Sequence, residues 1–278
     1  MALSKRNVVK QSYELNNARY RLSVVETDII FKMIAEIRNE DKDFQTYTFK
    51  VTELEKALGR SLDRSYLKET AVNLMRKPLR IQREGGGFLV CNWLSSFEYL
   101  PKTGEIELSF DPKLKPYLLE LQGRFVKADI RHIFKLSSEY SKRIYTIFKQ
   151  WEKLGKYEVS VEEWQKVLEV PKSMLIYNRF KEKVLEVAKN QINVNTDLIV
   201  DYKEIKTGRK VTGLVWTIGK QIGQQLTFEN VSTATIDTRS QTPWNKAKKA
   251  KRVKGEEISS KLQENGVESI FDAYEAMK

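Results

Sequence analysis

The sequence predicts an α+β chain in which one small domain plan is used twice. Three observations carry this expectation. The order helix, strand, helix, helix, strand, turn, strand can be read once before residue 111 and again between residues 137 and 218. Apolar positions coincide between the two stretches at a nearly constant spacing. The net charge is +12 over 278 residues, and most of the surplus falls in the second stretch. A chain of this length suits two domains with a core each.

In the first copy, Ser23 with Glu26 three positions on is a capping box, in which each side chain answers the other residue's orphan N–H. Ile29, Ile30, Met33, Ile34 and Ile37 keep helical spacing behind it. Tyr47-Thr48-Phe49-Lys50-Val51 alternates as a strand does. Thr52 with Glu55 predicts a second capping box and a short helix with the stripe Leu54, Ala57 and Leu58, ended by Gly59. A third helix is expected over 62–75, with Leu67, Ala71 and Leu74 inward and Pro78 past its end. The run Leu79-Arg80-Ile81-Gln82, a turn at Gly85-Gly86-Gly87 and strands over 88–99 and 105–110 follow. Residues 1–13 are polar and expected as an arm.

In the second copy, Ser137 or Ser138 opens a helix with Tyr140, Ile144, Ile147, Phe148 and Trp151 on its inner face, and Gly155 ends it. A strand is expected over 157–161 and a short helix over 162–168 with Trp164 and Leu168 buried. Pro171 and Ser173 mark a turn, and a third helix is expected over 175–189. Strands over 192–202 and 211–218 are joined by Lys206-Thr207-Gly208-Arg209.

Val51 matches Val161, Leu54 matches Trp164 and Leu58 matches Leu168, all at a spacing of 110. Leu74 matches Leu185 at 111, and Ile81 matches Val194 at 113. That period is too long for a solenoid unit and fits a duplicated domain. The repeated plan is a helix-turn-helix with a β-hairpin appended, so the expected architecture is two tandem winged-helix domains related by internal duplication. The expected boundaries are 14–122 and 123–222, then a basic flexible linker at 223–254 and an acidic amphipathic tail at 255–278. Residues 239–254 hold seven basic side chains and no acid, whereas 255–278 hold six acids and two bases.

Charge and composition narrow the function. Residues 123–222 hold 20 Lys and Arg against 12 Asp and Glu. Such a surplus favours an anionic partner, by attraction to phosphates and release of their counterions. No run of 18 apolar residues exists, so no membrane span is expected. The N-terminus lacks the apolar stretch of a secretory signal. Cys91 is the sole cysteine, which precludes an internal disulfide and suits the cytoplasm, with Cys91 itself read as a core strand residue. His132 is the sole histidine, so the paired-histidine metal site beside a tyrosine that rolling-circle initiators need cannot be built. His132 reads as a structural residue. No phosphate-binding loop with its Gly-Lys-Ser/Thr ending is present. Gly85-Gly86-Gly87 is a turn, because no helix follows it. No paired Asp/Glu motif of a nuclease stands out. No catalytic residue, cofactor or metal is therefore expected.

A helix lying in the major groove reads base edges with its N-terminal residues. With Ile176, Phe180, Val184 and Val187 turned inward at 100° per residue, the outer face of the 175–189 helix carries Asn178, Glu182, Glu186 and Lys189, flanked by Arg179 and Lys181. Asn pairs with adenine, Arg or Lys with guanine, and Glu accepts from cytosine. Asn178, Arg179, Lys181 and Glu182 are thus the base-reading candidates. Lys203, Lys206, Arg209 and Lys210 suit phosphate or minor-groove contact from the wing. Lys142 and Arg143, near a helix N-terminus, suit phosphate. The first copy offers Arg64, Ser65, Lys68, Glu69, Asn73 and Arg76 on its third helix, with Arg80 and Arg83 in its wing. Its smaller charge surplus predicts a weaker, backbone-directed contact.

Five ordered segments carry a family resemblance. They are Leu121-Gln122-Gly123-Arg124-Phe125, Ser138-Glu139-Tyr140-Ser141-Lys142-Arg143-Ile144-Tyr145, Phe180-Lys181-Glu182-Lys183-Val184-Leu185-Glu186-Val187, Asn190-Gln191-Ile192-Asn193 and Lys206-Thr207-Gly208-Arg209-Lys210. Over roughly residues 14–220 the chain resembles the initiator (Rep) proteins of iteron-containing, theta-replicating plasmids. The resemblance implies binding of double-stranded origin repeats as a monomer, with both winged helices on one face of the duplex. It also implies opening of an adjacent AT-rich segment, contact with the host initiator and replicative helicase, and a monomer–dimer equilibrium in which the dimer represses its own promoter. The alternative is a two-domain winged-helix repressor without origin function. Direct repeats of about 20 base pairs beside the gene would favour the initiator, and a single inverted repeat the repressor.

Overall fold

The protein is described by a computed structural model at residues 8–59, 61–121 and 123–221. The first seven residues of the expected arm, the linker and the acidic tail lie outside the described residues, as do the side chains of Ala57 and Leu58.

Val8–Ser12 form strand β1 and Tyr13–Asn16 the single turn α1. Helix α2 spans Val24–Glu36 behind the expected capping box: Ser23 Oγ accepts from the Glu26 amide and Glu26 Oε2 from the Ser23 amide at 2.6 Å. Strand β2, Tyr47–Lys50, runs straight into α3, Val51–Leu58. The expected cap at Thr52 is not used, because the helix begins two residues earlier, after Lys50, with no side-chain cap. Glu55 closes the next turn instead, its Oε1 accepting from the Leu62 amide at 2.7 Å and from Ser61 Oγ at 3.1 Å. Helix α4, Arg64–Met75, is capped by Asp63, which accepts from the Tyr66 amide at 2.8 Å.

Strands β3 (Leu79–Gln82) and β4 (Phe88–Cys91) pair with each other as a separate two-stranded hairpin, and Arg80 of β3 is also bridged to Arg19. The strand expected over 88–99 breaks beside the buried Trp93, and β5 (Leu94–Leu100) and β6 (Glu105–Phe110) form a separate hairpin. The three-stranded sheet of the first copy has the order β2-β6-β5. The short helix α5, Lys115–Leu118, then leads to β7, Phe125–Asp129.

The second copy follows the same plan. After α6 (Ile130–Lys135) come α7 (Glu139–Trp151, capped by Ser138), β8 (Lys156–Ser160) and α8 (Val161–Val167, capped by Ser160). Helices α9 (Tyr177–Phe180) and α10 (Glu186–Asn195) flank a π-helical segment, Lys181–Leu185. Strands β9 (Leu198–Thr207) and β10 (Lys210–Lys220) end the copy, and the sheet order is β8-β10-β9. Both sheets thus place the first strand of the copy beside the last. Phe49 pairs with Ile106 as Val159 pairs with Leu214.

This topology corrects two expectations. The wing of the first copy is the β5–β6 hairpin, with its turn at 101–104, and β3–β4 is an insertion with no counterpart in the second copy. Ile81 and Val194 are not equivalent: Ile81 is buried in β3, whereas Val194 is 78% exposed on α10. The expected strand start at 192 fails because the helix continues to Asn195, with Ile192 in its buried stripe.

Large aromatics fill the cores. Trp164 stacks on Trp216 at 5.4 Å, and Phe148 and Tyr202 lie 4.8 and 4.6 Å from the Trp216 ring. In the first copy Trp93 meets Tyr20 edge-on at 4.9 Å. Cys91 is half-buried on β4, and burial pushes its thiol up to about 11. His132 Nδ1 lies 3.2 Å from the Asn195 carbonyl oxygen.

The two copies pack closely against one another. Strand β1 pairs antiparallel with β7, from Val8 opposite Asp129 to Ser12 opposite Phe125, so residues 8–12 are a strand rather than the expected arm. Every α7 residue from Tyr140 to Phe148 is buried. The face that helical periodicity assigns to solvent is covered by the first copy. This overturns the expectation that Lys142 and Arg143 meet phosphate. Lys142 Nζ lies 2.6 Å from Asp28 Oδ1 of α2 and 2.5 Å from the Ile133 carbonyl oxygen. Arg143 sits over the Tyr20 ring and donates to Tyr20 Oη and to the Asn16 and Ala18 carbonyls at 2.7–3.0 Å. A buried cation needs such partners, because removing it from water without them is costly.

Candidate nucleic-acid interface

The second helix-turn-helix consists of α8, a turn at 168–176 and the long third helix. Phe180, Val184, Ala188 and Ile192, each four residues apart, are buried in its inner stripe together with Leu185. The expected inner set was Ile176, Phe180, Val184 and Val187. Ile176 is instead 60% exposed and Val187 only partly buried. Ile176 is the extended N-cap residue, outside the helix, and after it the wider turn of the π-helical segment rotates the face that follows, so Ala188 rather than Val187 enters the core.

The predicted reading residues fall into two groups. Asn178, Arg179 and Glu182 are exposed near the helix start. Asn178 and Arg179 have no side-chain hydrogen bond or ion pair among the described residues, and Glu182 pairs with its neighbour Lys183 at 2.9 Å. The other group is turned toward the sheet. Lys181 Nζ reaches Glu204 Oε1 of β9 at 2.8 Å, where Tyr177 Oη also donates. Tyr202 Oη donates to Glu186 Oε1 at 2.6 Å, and Lys189 Nζ reaches Asp201 at 2.6 Å. These bonds tie the third helix to β9. The Lys181 ammonium beside Glu204 is the main cause holding that carboxyl below its usual range, and Lys189 does the same for Asp201.

The wing is the β9–β10 hairpin. Its two-residue loop, Gly208-Arg209, has glycine at φ +60 in the first central position, as this hairpin turn requires. Lys203, Lys206, Arg209 and Lys210 are all exposed along it. Lys206 stands 3.8 Å from Glu204, so this glutamate lies between helix and wing.

In the first copy, Arg64, Ser65, Lys68 and Glu69 are exposed on α4, and Arg64 lies over the Tyr99 ring of β5 at 5.7 Å. Asn73 is partly buried and Arg76 is exposed at the helix end. Arg80 and Arg83, expected in the wing, lie on the inserted hairpin and its turn. Arg80 Nη1 is 2.6 Å from Glu169 Oε1, and Arg83 Nε donates to Tyr117 Oη at 3.1 Å. The true wing turn carries Lys102, which is exposed and was missed because the wing was sought one hairpin too early. The alternation in Glu105–Phe110 and the glycine at 104 mark a hairpin there, but only its pairing with β2 marks it as the wing.

The fold defines a class: a protein of two winged helices in tandem, each with a third helix and a hairpin that carry exposed basic side chains. Residues 8–149 match the family model described as initiator replication protein, WH1, and residues 160–218 match the one described as initiator Rep protein, WH2. The chain belongs to this initiator replication protein family. It is 23% identical over 170 residues to a probable replication protein rep of Bifidobacterium longum (strain NCC 2705), covering 60% of this chain and 57% of that protein. The chain therefore spans little more than half the length of that relative. Its fold is similar to that of the Pi initiator protein, solved in complex with iteron DNA, with a TM-score of 0.64 and 20% identity over 77% of this chain and 98% of that one. Among the described residues no helix is long and apolar enough to cross a membrane.

Proposed function

We propose that the chain initiates replication of a plasmid by binding repeated origin sequences as double-stranded DNA. The two binding units are residues 14–122 and 123–222, the first extended by the β1 strand. The observation that carries this reading is the pair Asn178 and Arg179, exposed and without a side-chain partner among the described residues at the start of the third helix, beside a hairpin tip bearing Lys206, Arg209 and Lys210. Asn178, Arg179 and Glu182 read base edges. Lys203, Lys206, Arg209 and Lys210 contact the backbone. Arg64, Ser65, Lys68, Arg76 and the wing residue Lys102 make the weaker contact of the first unit. Lys181 and Lys189 hold the helix on β9 and act on the backbone only when released from their carboxylates.

The protein works by binding, without nuclease or ATPase activity. Opening of an adjacent AT-rich segment, contact with the host initiator and replicative helicase, and a monomer–dimer equilibrium belong to this reading through its family. The test is a band-shift titration on repeats taken from the DNA beside the gene. Affinity should fall with salt at a log–log slope of about −0.9 per phosphate contact. Metal-dependent nicking of that DNA by the purified protein would overturn the reading.

A further inference from the structure

Glu169 has φ +46 and is the one non-glycine residue with positive φ among the described residues. It follows α8 in the turn that leads to the second third helix. The residue 110 positions earlier, at the spacing that relates Val51 to Val161, is Gly59, at φ +63 just after α3. The left-handed turn is thus a feature of the repeated plan. The first copy meets it with the residue that adopts it without strain, and the second with a glutamate.

The glutamate differs from glycine in having a carboxylate, and the carboxylate has a partner in the other copy. Glu169 Oε1 lies 2.6 Å from Arg80 Nη1. The backbone of Arg80 is bridged to Arg19, with the two N–H···O bonds at 2.8 and 2.9 Å. Arg19 in turn reaches Glu163 of α8 at 3.7 Å. One backbone rung of the first copy therefore presents two guanidinium groups to two carboxylates at α8 and its following turn. The contacts through Lys142, Arg143 and Asn16 all run to α7 or the segment before it. The Arg80–Glu169 pair lines the same cleft as Arg21 and Glu139, and it is the contact there that reaches the turn between α8 and the third helix.

Stability does not account for this choice. An ion pair with both side chains partly in water returns little, and the strain of a non-glycine residue in this region is the larger effect. We propose that Glu169 is a positioning residue. Its carboxylate ties the turn before the second reading helix to Arg80, and so sets the spacing at which the two winged helices meet DNA. This rests on the reading that both winged helices engage one duplex.

The test compares the full chain with its Glu169→Gly and Glu169→Gln variants. Glycine removes both strain and charge, and glutamine removes the charge alone. Footprinting of the wild type locates the segments covered by the two winged helices. Affinity is then measured for the intact repeat and for repeats with one base pair inserted or deleted between those segments. Wild type should discriminate strongly against the shifted repeats, and both variants should lose about tenfold of that discrimination, since a tether fixes which geometries can be engaged together. Glu169→Gly should melt no lower than wild type. Wild-type discrimination in both variants overturns the proposal and leaves two-headed binding standing. A wild type indifferent to spacing overturns two-headed binding itself.

Discussion

Lys142 Nζ of α7 and Asp28 Oδ1 of α2 lie 2.6 Å apart with both side chains buried. Removing the lysine takes away the cation that the buried Asp28 carboxylate faces. Lys142→Met should therefore cost about 3–5 kcal/mol in urea unfolding, and the double change Lys142→Met with Asp28→Leu should recover much of that loss. The double variant should keep the wild-type salt slope for DNA binding, because Lys142 touches no phosphate.

Arg179→Ala should cost about 1–3 kcal/mol on the repeat and relax preference at one base position, whereas Lys210→Ala should weaken all sequences alike and reduce the salt slope by about one contact. Competition titrations with single-base variants of the repeat separate the two. Equal, sequence-independent losses would show that the helix beginning at Tyr177 is not the reader.

Glu204 accepts from Lys181 and Tyr177 and lies near Lys206. Glu204→Gln should release the lysines, raise affinity for duplexes of any sequence and steepen the salt dependence. Unchanged affinity for random DNA would mean that Lys181 is out of reach of the backbone.

Asp197 sits at the end of the third helix. Burial raises its carboxyl, but hydrogen bonds from Lys149 and Tyr145 outweigh burial and hold it below the usual carboxylate range. A depressed carboxyl contributes stability in full above its unfolded pKa of about 3.9 and loses it as pH falls through the folded value. Wild type should melt higher than Asp197→Asn at neutral pH, and the gap should close as pH drops below about 4. A gap that does not narrow at all as pH falls below about 4 would assign the effect to packing.

Gly59→Ala should destabilise by about 1 kcal/mol through its left-handed backbone alone, since an added Cβ would meet no atom within 4 Å. Thermal unfolding measures it. An unchanged melting temperature would show that the turn relaxes freely.

The sequence by itself determined the helix-strand-helix-helix order of each copy, the duplication and the exposure of Asn178, Arg179 and Glu182. Capping at Ser23, the buried pairs Leu54 with Trp164 and Leu74 with Leu185, and the hairpin at Gly208 are local or periodic signals, and local physics suffices to form them. Tertiary structure alone decided which hairpin is the first wing, because both candidates look like strands until strand pairing gives one of them to β2. It decided the inner face of the third helix, where a π-helical turn shifts the period. It also decided the fate of Lys142 and Arg143. Helical periodicity marks one face of α7 as polar, but only packing between the copies turns that face into a buried interface, where the charges must find partners 114 and more positions away in the chain.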